Sequence, residues 1–206
     1  MPIINSVIDV SHHNGSSLDF AKAKGDGIVG VIHKASQGTT GGDPMYAANR
    51  KKVKAAGLLW GAYHFGTGSD GVQQAQHFLD NVGDRNGVLL VLDLEPNPTG
   101  PSMSLIEAHA FVTHVHSVTG VWPGLYTGHY FKELVGSGTD PILANCWLWL
   151  AQYGPTPVVP PTWKTWTMWQ YTDGAVGPPP HEVAGIGHCD RDKFNGAESQ
   201  LRKLWG

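Results

Sequence analysis

The stretch GVLLVLDLE, residues 87–95, decides the fold class. It opens on a glycine, continues through five apolar residues and ends with Asp93 and Glu95 on either side of Leu94. A near-continuous apolar run of this length is typical of a strand that is buried on both faces, as in a parallel sheet. Because the two acids alternate with Leu94, they point to the same side of the strand. Buried carboxylates are costly unless they are paired or used, so the acids at the end of this strand indicate a functional site.

Similar short apolar segments recur along the chain and predict eight strands. They are residues 6–11, 27–36, 57–66, 87–95, 123–128, 146–154, 165–174 and 185–192. Segments with helical spacing and capping residues lie between the earlier strands, at 43–57, 70–83 and 102–120. This alternation of strand and helix is typical of a parallel α/β fold.

After residue 137 the predicted strands follow each other closely. Their connections are rich in proline and too short for crossover helices, which take about 10–12 residues or more. A complete eightfold barrel typically has about 250 residues, with about 200 as the lower limit. The chain of 206 residues therefore predicts an α/β fold, an irregular, incomplete TIM-like β/α barrel with missing late helices, and we interpret 1–206 as a single domain.

The composition excludes several classes of function. The net charge is only -3 and no basic patch stands out, so we expect no nucleic-acid partner. No apolar run approaches the roughly 18 residues that a membrane span needs, so we expect no membrane partner. The N-terminal ten residues have no basic region and no long apolar region, which predicts synthesis in the cytoplasm without a signal peptide. We expect a monomer.

The two cysteines, Cys146 and Cys189, are too few for a disulfide framework, and their spacing does not resemble a zinc site. We expect both to be reduced and structural. Cys146 falls early in its predicted strand and Cys189 late in its own, which predicts that they lie near opposite ends of the barrel.

Four acids are expected to meet at the carboxyl ends of the strands, where the active sites of such barrels lie. Asp9 is late in the first predicted strand, Asp93 and Glu95 end the fourth, and Asp190 ends the eighth. Strands one and eight are neighbours in a closed barrel and strand four lies opposite, so the four acids can line one pocket.

Each acid also has a purely structural alternative. Asp9 can be a turn or cap residue, Asp190 can pair with Arg191 or form a local turn, and the Asp93–Glu95 pair can cap the following loop. Three further acids are interpreted as turn, cap or surface residues: Asp43, Asp173 and Asp192.

The acid pair fits the cleavage of a glycosidic bond. Two close acids in a partly apolar pocket do not both ionise easily, so the pKa of one rises. The result is one proton donor and one charged carboxylate, which this reaction requires. Aromatic rings that can stack on sugar rings lie late in the strands or just beyond them: Tyr63, Phe65, Tyr126, Trp149, Tyr153, Trp169 and Tyr171.

Six motifs, in order along nearly the whole chain, resemble glycoside hydrolase family 25, the lysozymes of the Chalaropsis type that include many phage endolysins. The motifs are DVSHHNG, GAYHFG, LDLE, LWLAQYG, WQYTDG and GIGHCDRDKFNG. The resemblance implies a flattened, incomplete β/α barrel. It also implies hydrolysis of the β-1,4 bond between N-acetylmuramic acid and N-acetylglucosamine, with peptidoglycan glycan strands as partner, no cofactor, and action on the bacterial cell wall after release.

Residue by residue, the resemblance implies catalytic roles for the four acids. Glu95 matches the general acid, and Asp93 matches the residue that attacks the anomeric carbon or orients the acetamido group of the substrate. Asp9 and Asp190 match the flanking acids. Four residues fall at pocket-wall positions: Tyr63, Tyr126, Trp149 and Gln170.

The chain departs from the family pattern at two positions. Gln37 in KASQG stands where the family often has an acid, and Cys189 stands where an aliphatic residue is usual. Neither belongs to the acid pair.

Two other classes of function remain open. The first is a metal-dependent hydrolase, because several of the eleven histidines lie near strand ends: His12, His13, His33, His64 and His188. The chain has no His-x-His after the first strand and no His-Glu-x-x-His pair, so we expect no metal. The second is a glycan-binding module without catalysis, against which the complete set of four acids argues.

Overall fold

The computed structural model describes residues 2–206. The strands are β1 (Ile4–Val10), β2 (Gly30–Gln37), β3 (Gly41–Gly42), β4 (Leu59–Phe65), β5 (Val88–Leu94), β6 (Gly124–Thr127), β7 (Trp147–Ala151), β8 (Met168–Thr172), β9 (Glu182–Val183), β10 (Gly187–His188) and β11 (Asp190–Phe194). The helices are α1 (Phe20–Gly25), α2 (Tyr46–Ala56), α3 (Gly71–Val82), α4 (Leu105–Thr119), α5 (His129–Val135) and α6 (Glu198–Leu204).

Eight of the strands close into a barrel. The order is β1-β2-β4-β5-β6-β7-β8-β11, and β11 pairs with β1 to complete the ring. Neighbours from β1 through β8 run parallel. Within the described residues no helix lies between β7 and β8 or between β8 and β11, which confirms the prediction of a β/α barrel that lacks its late helices.

The eighth barrel strand differs from its prediction. The barrel uses residues 190–194 rather than 185–192, and β11 runs antiparallel to both β1 and β8. The cause is the connection after β8, which holds only the short hairpin of β9 and β10 and no crossover helix. The chain therefore re-enters the barrel at the end where β8 left it and runs back in the opposite direction.

Local capping sets the ends of the longer helices as the sequence predicts, except at the start of α2, which begins at Tyr46 rather than at the predicted Asp43 and has no side-chain cap. The side chain of Asp70 accepts a hydrogen bond from the amide of Gln73 at the start of α3. Ser104 and Glu107 form a capping box at the start of α4, and Gly57 closes α2 in the left-handed conformation with φ of 69°. The short helices α1, α5 and α6 were not predicted, because one or two turns show too little periodicity to read from sequence.

Two apolar layers stabilise the barrel, one inside it and one between the barrel and the helices. The side chains of β5 alternate between these two layers. Leu92 and Leu94 face outward and are fully buried in the layer between barrel and helices, together with Phe111 of α4. Val91 faces inward and packs in the barrel interior beside Trp149. Alternation along the strand therefore turns Asp93 inward, at the carboxyl end of the barrel.

Cys146 and Cys189 are both free and buried. Cys146 immediately precedes β7, whereas Cys189 immediately precedes the antiparallel β11, so the two lie at opposite ends of the barrel. Burial raises the pKa of both thiols to about 12, which makes them poor nucleophiles.

We therefore expect thiol titration of unfolded, unreduced protein to find two free thiols per chain. Titration of native protein should be slow, because both side chains are shielded from solvent. A count of zero in the unfolded protein would contradict the placement of these residues.

Candidate active site

A cavity of about 280 Å³ opens at the carboxyl ends of the parallel barrel strands. Its lining residues come from seven of the eight barrel strands or the segments that follow them: Asp9, Tyr63, Asp93, Glu95, Tyr126, Trp149, Tyr153, Gln170, Asp173 and Asp190. The structure thus brings all four predicted acids together in one cavity. It does the same for five predicted pocket-wall residues: Tyr63, Tyr126, Trp149, Tyr153 and Gln170.

Three predicted aromatic residues do not line this cavity. The ring of Phe65 is buried and covered by Lys34, whose Nζ lies 4.8 Å from the ring centroid. Trp169 and Tyr171 flank the inward-facing Gln170, and alternation sends both to the outer face of β8, where they pack with Trp166. For Phe65 and Trp169, the expectation of a place on the pocket wall is therefore wrong.

Asp190 reaches the cavity by a different route from the one predicted. It opens β11 instead of ending a strand, and it pairs directly with Asp9 across the β1–β11 ladder. Because β11 is antiparallel, its first residue lies at the cavity end of the barrel. The position was predicted correctly from an incorrect strand direction.

A hydrogen-bond network centred on Gln170 fixes Asp9. Gln170 Nε2 donates to Asp9 Oδ2 at 2.7 Å, while the hydroxyls of Tyr126 and Tyr153 each donate to Gln170 Oε1 at 2.8 Å. The capping role that was the alternative for Asp9 belongs to Ser11, whose side chain accepts from the amide of His13. Asp9 is therefore held as a component of the cavity.

Asp93 and Glu95 share an environment that favours retention of a proton. Asp93 is only 5% exposed, and its Oδ1 has no hydrogen-bond partner among the described residues. Burial raises the pKa of Asp93 well above its usual value, the charge of Glu95 raises it further, and Lys34 opposes both. Burial also raises the pKa of Glu95, against Lys34 and together with Asp190. Close carboxyls of this kind titrate as a unit, and the pair keeps a proton to higher pH than free carboxyls do.

Lys34 is the cation at this site, and the sequence analysis did not identify it as functional. Its Nζ donates to Gln37 Oε1 at 2.7 Å. Burial lowers the pKa of Lys34, while the carboxylates of Asp93, Asp43 and Glu95 oppose that shift. The signal in the sequence was the KASQG segment, in which Gln37 replaces an acid and leaves the lysine charge available to the acid pair.

Three acids interpreted as turn, cap or surface residues have different outcomes. Asp43 is a turn residue ahead of α2, since its carboxylate accepts from the amides of His12 and Met45. Asp173 accepts from the amide of Ala175 in a turn but also lines the cavity. Asp192 is neither cap nor surface: it is fully buried and accepts a hydrogen bond from Trp149.

Two of the histidines near the strand ends, His12 and His64, make polar contacts within the protein. His12 Nδ1 lies 2.8 Å from an oxygen of Asp43, and His64 Nδ1 lies 2.8 Å from Ser36 Oγ on the helix side of the sheet. Across residues 2–206, no group of three or more His, Cys, Asp or Glu side chains is arranged to hold a metal ion. No helix in the same range is both long and apolar enough to cross a membrane.

Asp190 gives a testable dependence of stability on pH. Burial raises its pKa to about 6, so the folded protein binds this proton more tightly than the unfolded chain. The resulting stabilisation is complete below about pH 4, the range of an unfolded Asp, and is lost as the pH rises through about 6. Asp190→Asn removes the charge, so its Tm relative to the parent should increase from pH 4 to pH 7.5.

The expected increase is modest because Asp190 is partly exposed. With allowance for solvent screening, we expect the free energy of unfolding of the variant and the parent to differ by about 1 kcal/mol more at pH 7.5 than at pH 4. In a chain of this length, that corresponds to a change of about 2–4 °C in the Tm difference. Asp80→Asn, at an exposed position on α3, is the matched control and should show no such trend. Calorimetric scans at both pH values provide the comparison, and an Asp190→Asn difference that is the same at both would contradict the assignment.

Comparisons with known proteins all identify the same family. The model of the family described as "Glycosyl hydrolases family 25" matches residues 8–178, a range that contains Asp9, Asp93 and Glu95 but ends before Asp190. The chain is 33% identical over 213 aligned residues to Lysozyme M1 of Streptomyces globisporus, covering 96% of this chain and 70% of that protein. It is 28% identical to the N,O-diacetylmuramidase of Chalaropsis sp, covering 80% of this chain and 86% of the relative.

Among solved structures, the crystal structure of the bacterial lysozyme from Streptomyces coelicolor superposes with a TM-score of 0.85 at 33% identity. That alignment covers 96% of this chain and 94% of the other. Sequence family, curated relatives and three-dimensional fold therefore agree. This chain belongs to glycosyl hydrolase family 25.

Proposed function

We propose that this protein is a lysozyme, an N-acetylmuramidase that hydrolyses the β-1,4 bond between N-acetylmuramic acid and N-acetylglucosamine in bacterial peptidoglycan. The observation that carries the proposal is the meeting of Asp93 and Glu95 with Asp9 and Asp190 in one aromatic-walled cavity. Membership of the family supports it, since relatives of this chain carry the names lysozyme and N,O-diacetylmuramidase.

Glu95 is the general acid in this proposal. It is the more exposed member of the acid pair, so its carboxyl can reach the oxygen of the scissile bond while Asp93 lies deeper. Burial raises the pKa of Glu95, which keeps its proton available at higher pH than a free carboxyl would. Protonation of the leaving oxygen assists the break of its bond to the anomeric carbon, and water completes the hydrolysis.

Asp93 is the partner that stabilises positive charge at the anomeric carbon. It acts either as a nucleophile or by orienting the acetamido group of the substrate, which then attacks the same carbon. For either role Asp93 must be ionised when the bond breaks. Lys34, whose charge lowers the pKa of both members of the pair, favours the loss of one of their two protons.

The remaining lining residues bind the sugar rings and set the electrostatic environment of the acid pair. Tyr63 and Tyr153 are the more exposed aromatic residues of the cavity and supply faces for the C–H faces of pyranose rings, while the buried Tyr126 and Trp149 support the wall behind them. The amide of Gln170 orders the hydroxyls of Tyr126 and Tyr153. Asp9 and Asp190 flank the acid pair and tune its charge. The protein acts as a single catalytic domain and a monomer on the glycan strands of the cell wall, and its reaction uses no cofactor.

The proposal is tested by digestion of purified peptidoglycan and identification of the new reducing ends by mass spectrometry. N-acetylmuramic acid at those ends is the expected result. N-acetylglucosamine ends would instead indicate cleavage of the other glycosidic bond, and free peptides would indicate an amidase or peptidase. Binding to walls without any new reducing end would support a glycan-binding module.

A further inference from the structure

A further carboxyl group, that of Asp192, lies inside the barrel one layer below the cavity. Asp192 follows Asp190 by two residues on β11, so both side chains face the barrel interior. It pairs with Val7 of β1 and with Gln170 of β8, whereas Asp190 pairs with Asp9 nearer the cavity. Asp192 has no solvent exposure at all and does not line the cavity.

The contacts of Asp192 connect it to the cavity wall. Its Oδ1 accepts a hydrogen bond from Trp149 Nε1 at 2.7 Å, and Trp149 is a lining residue of the cavity. Its Oδ2 is buried and finds no N–H or hydroxyl donor within residues 2–206. The carboxyl of Asp9 lies within hydrogen-bonding reach.

Burial and the charge of Asp190 disfavour the ionised form of Asp192. The carboxyls of Asp9 on β1 and Asp190 on β11 face it, while β7 and β8 present the neutral side chains of Trp149 and Gln170. The neighbouring cation, Arg191, alternates to the other face of β11 and donates to the backbone carbonyl of Glu182. Burial has the largest effect and raises the pKa of Asp192 well above its usual value. The hydrogen bond from Trp149 opposes this shift, the charge of Asp190 adds to it, and the hydrogen bond with Asp9 and the charge of Arg191 oppose it more weakly.

We propose that Asp192 is a positioning residue that stays a neutral carboxylic acid, shares one hydrogen bond with the carboxyl of Asp9 and accepts another from the indole of Trp149. The proposal rests on the proposed function. The acid fixes Asp9 from below, as Gln170 fixes it from the side. It also locks the plane of the Trp149 ring, which supports the wall of the cavity. One buried group thereby couples a flanking acid to a wall of the binding site.

Two substitutions separate this role from simple packing. Asp192→Asn reproduces the neutral acid, because its amide oxygen can accept from Trp149 and its NH2 group can donate to Asp9. We expect it to keep kcat/KM within about threefold of the parent and to leave the pH profile unchanged. Asp192→Leu keeps the bulk but loses both hydrogen bonds, and we expect an increase in KM of about tenfold or more together with a shifted acidic limb of the pH profile.

A measurement without substrate tests the neutral state of Asp192 separately from the proposed function. If Asp192 is neutral in the folded protein and ionises in the unfolded chain, it contributes to the loss of stability of the parent as the pH rises above about 4, and Asp192→Asn lacks this contribution. The Tm of Asp192→Asn relative to the parent should therefore increase between pH 4 and pH 7.5. An inactive parent with this Tm trend would refute the lysozyme proposal but retain the neutral acid.

Three results would overturn the inference. The first is a Tm difference for Asp192→Asn that does not change with pH. The second is a loss of more than tenfold in kcat/KM for Asp192→Asn, since that would require an ionised Asp192. The third is an Asp192→Leu variant with the KM and pH profile of the parent. Should Asp192→Leu fail to fold, Asp192→Ser, which is too short to reach both partners, takes its place.

Discussion

Replacement of Glu95 by glutamine is expected to remove nearly all turnover of peptidoglycan while the fold and glycan binding survive. Glutamine keeps the shape of the side chain but cannot transfer a proton to the leaving oxygen. Loss of a general acid costs roughly 10²–10⁴-fold in rate. The measurement is the release of reducing ends from isolated cell walls, with a thermal melt of each protein to confirm folding.

The matched control is Glu198→Gln, since Glu198 is exposed on α6 and lies outside the cavity. This variant should retain the parent rate, because it removes only an exposed ion pair with Arg202. If Glu95→Gln lysed walls at close to the parent rate, the assignment of the general acid would be wrong.

Replacement of Asp93 by asparagine is expected to cause the second large loss. The variant keeps the size of the buried side chain but cannot supply negative charge at the anomeric carbon. A direct nucleophile would leave almost no activity, whereas an acetamido-assisted reaction would retain more, because the substrate still provides the attacking oxygen. The residual rates of Asp93→Asn and Glu95→Gln on the same walls distinguish these two cases.

Stability provides the control for Asp93→Asn. Because burial raises the pKa of Asp93, the ionised carboxyl destabilises the folded protein at neutral pH, and the asparagine variant should melt no lower than the parent at pH 7. A variant that retained the parent rate would show that the carboxylate of Asp93 is not used. A variant that melted much lower would mean that the lost rate reflects unfolding.

The central part of the site could be predicted because strand alternation is a local property. The spacing of Asp93 and Glu95 around Leu94 requires that both acids share one face, and Leu94 is indeed buried on the other. Barrel closure then brings strands from both ends of the chain to the same cavity, so Asp9 could be predicted from strand order alone.

The remaining features depend on contacts that a single sequence does not contain. The direction of β11 follows from the length and path of the connection after β8, and neither leaves a periodic signal. Trp169 was misplaced because its neighbour Gln170 holds the inward position on β8. Lys34 becomes part of the site only because its long side chain reaches across Phe65 toward the acid pair, and that reach is not visible in the spacing.

The burial of Asp192 is another feature that could not be predicted from the sequence alone. The sequence analysis interpreted Asp192 as a turn, cap or surface residue, because an Asp between Arg191 and Lys193 in a charged segment fits a surface strand. The decisive fact is tertiary: β11 is a barrel strand with both neighbours in place, so its inward positions are closed to solvent.

The most direct test of the account is to follow the oxygen of water through the reaction. Peptidoglycan is digested in water enriched in the heavy oxygen isotope, the products are reduced at once, and mass spectrometry locates the label. The account predicts label at the anomeric carbon of new N-acetylmuramic acid ends with the parent protein and almost none with Glu95→Gln. Label in peptide carboxyl groups or at N-acetylglucosamine ends, or equal labelling by the two proteins, would contradict it.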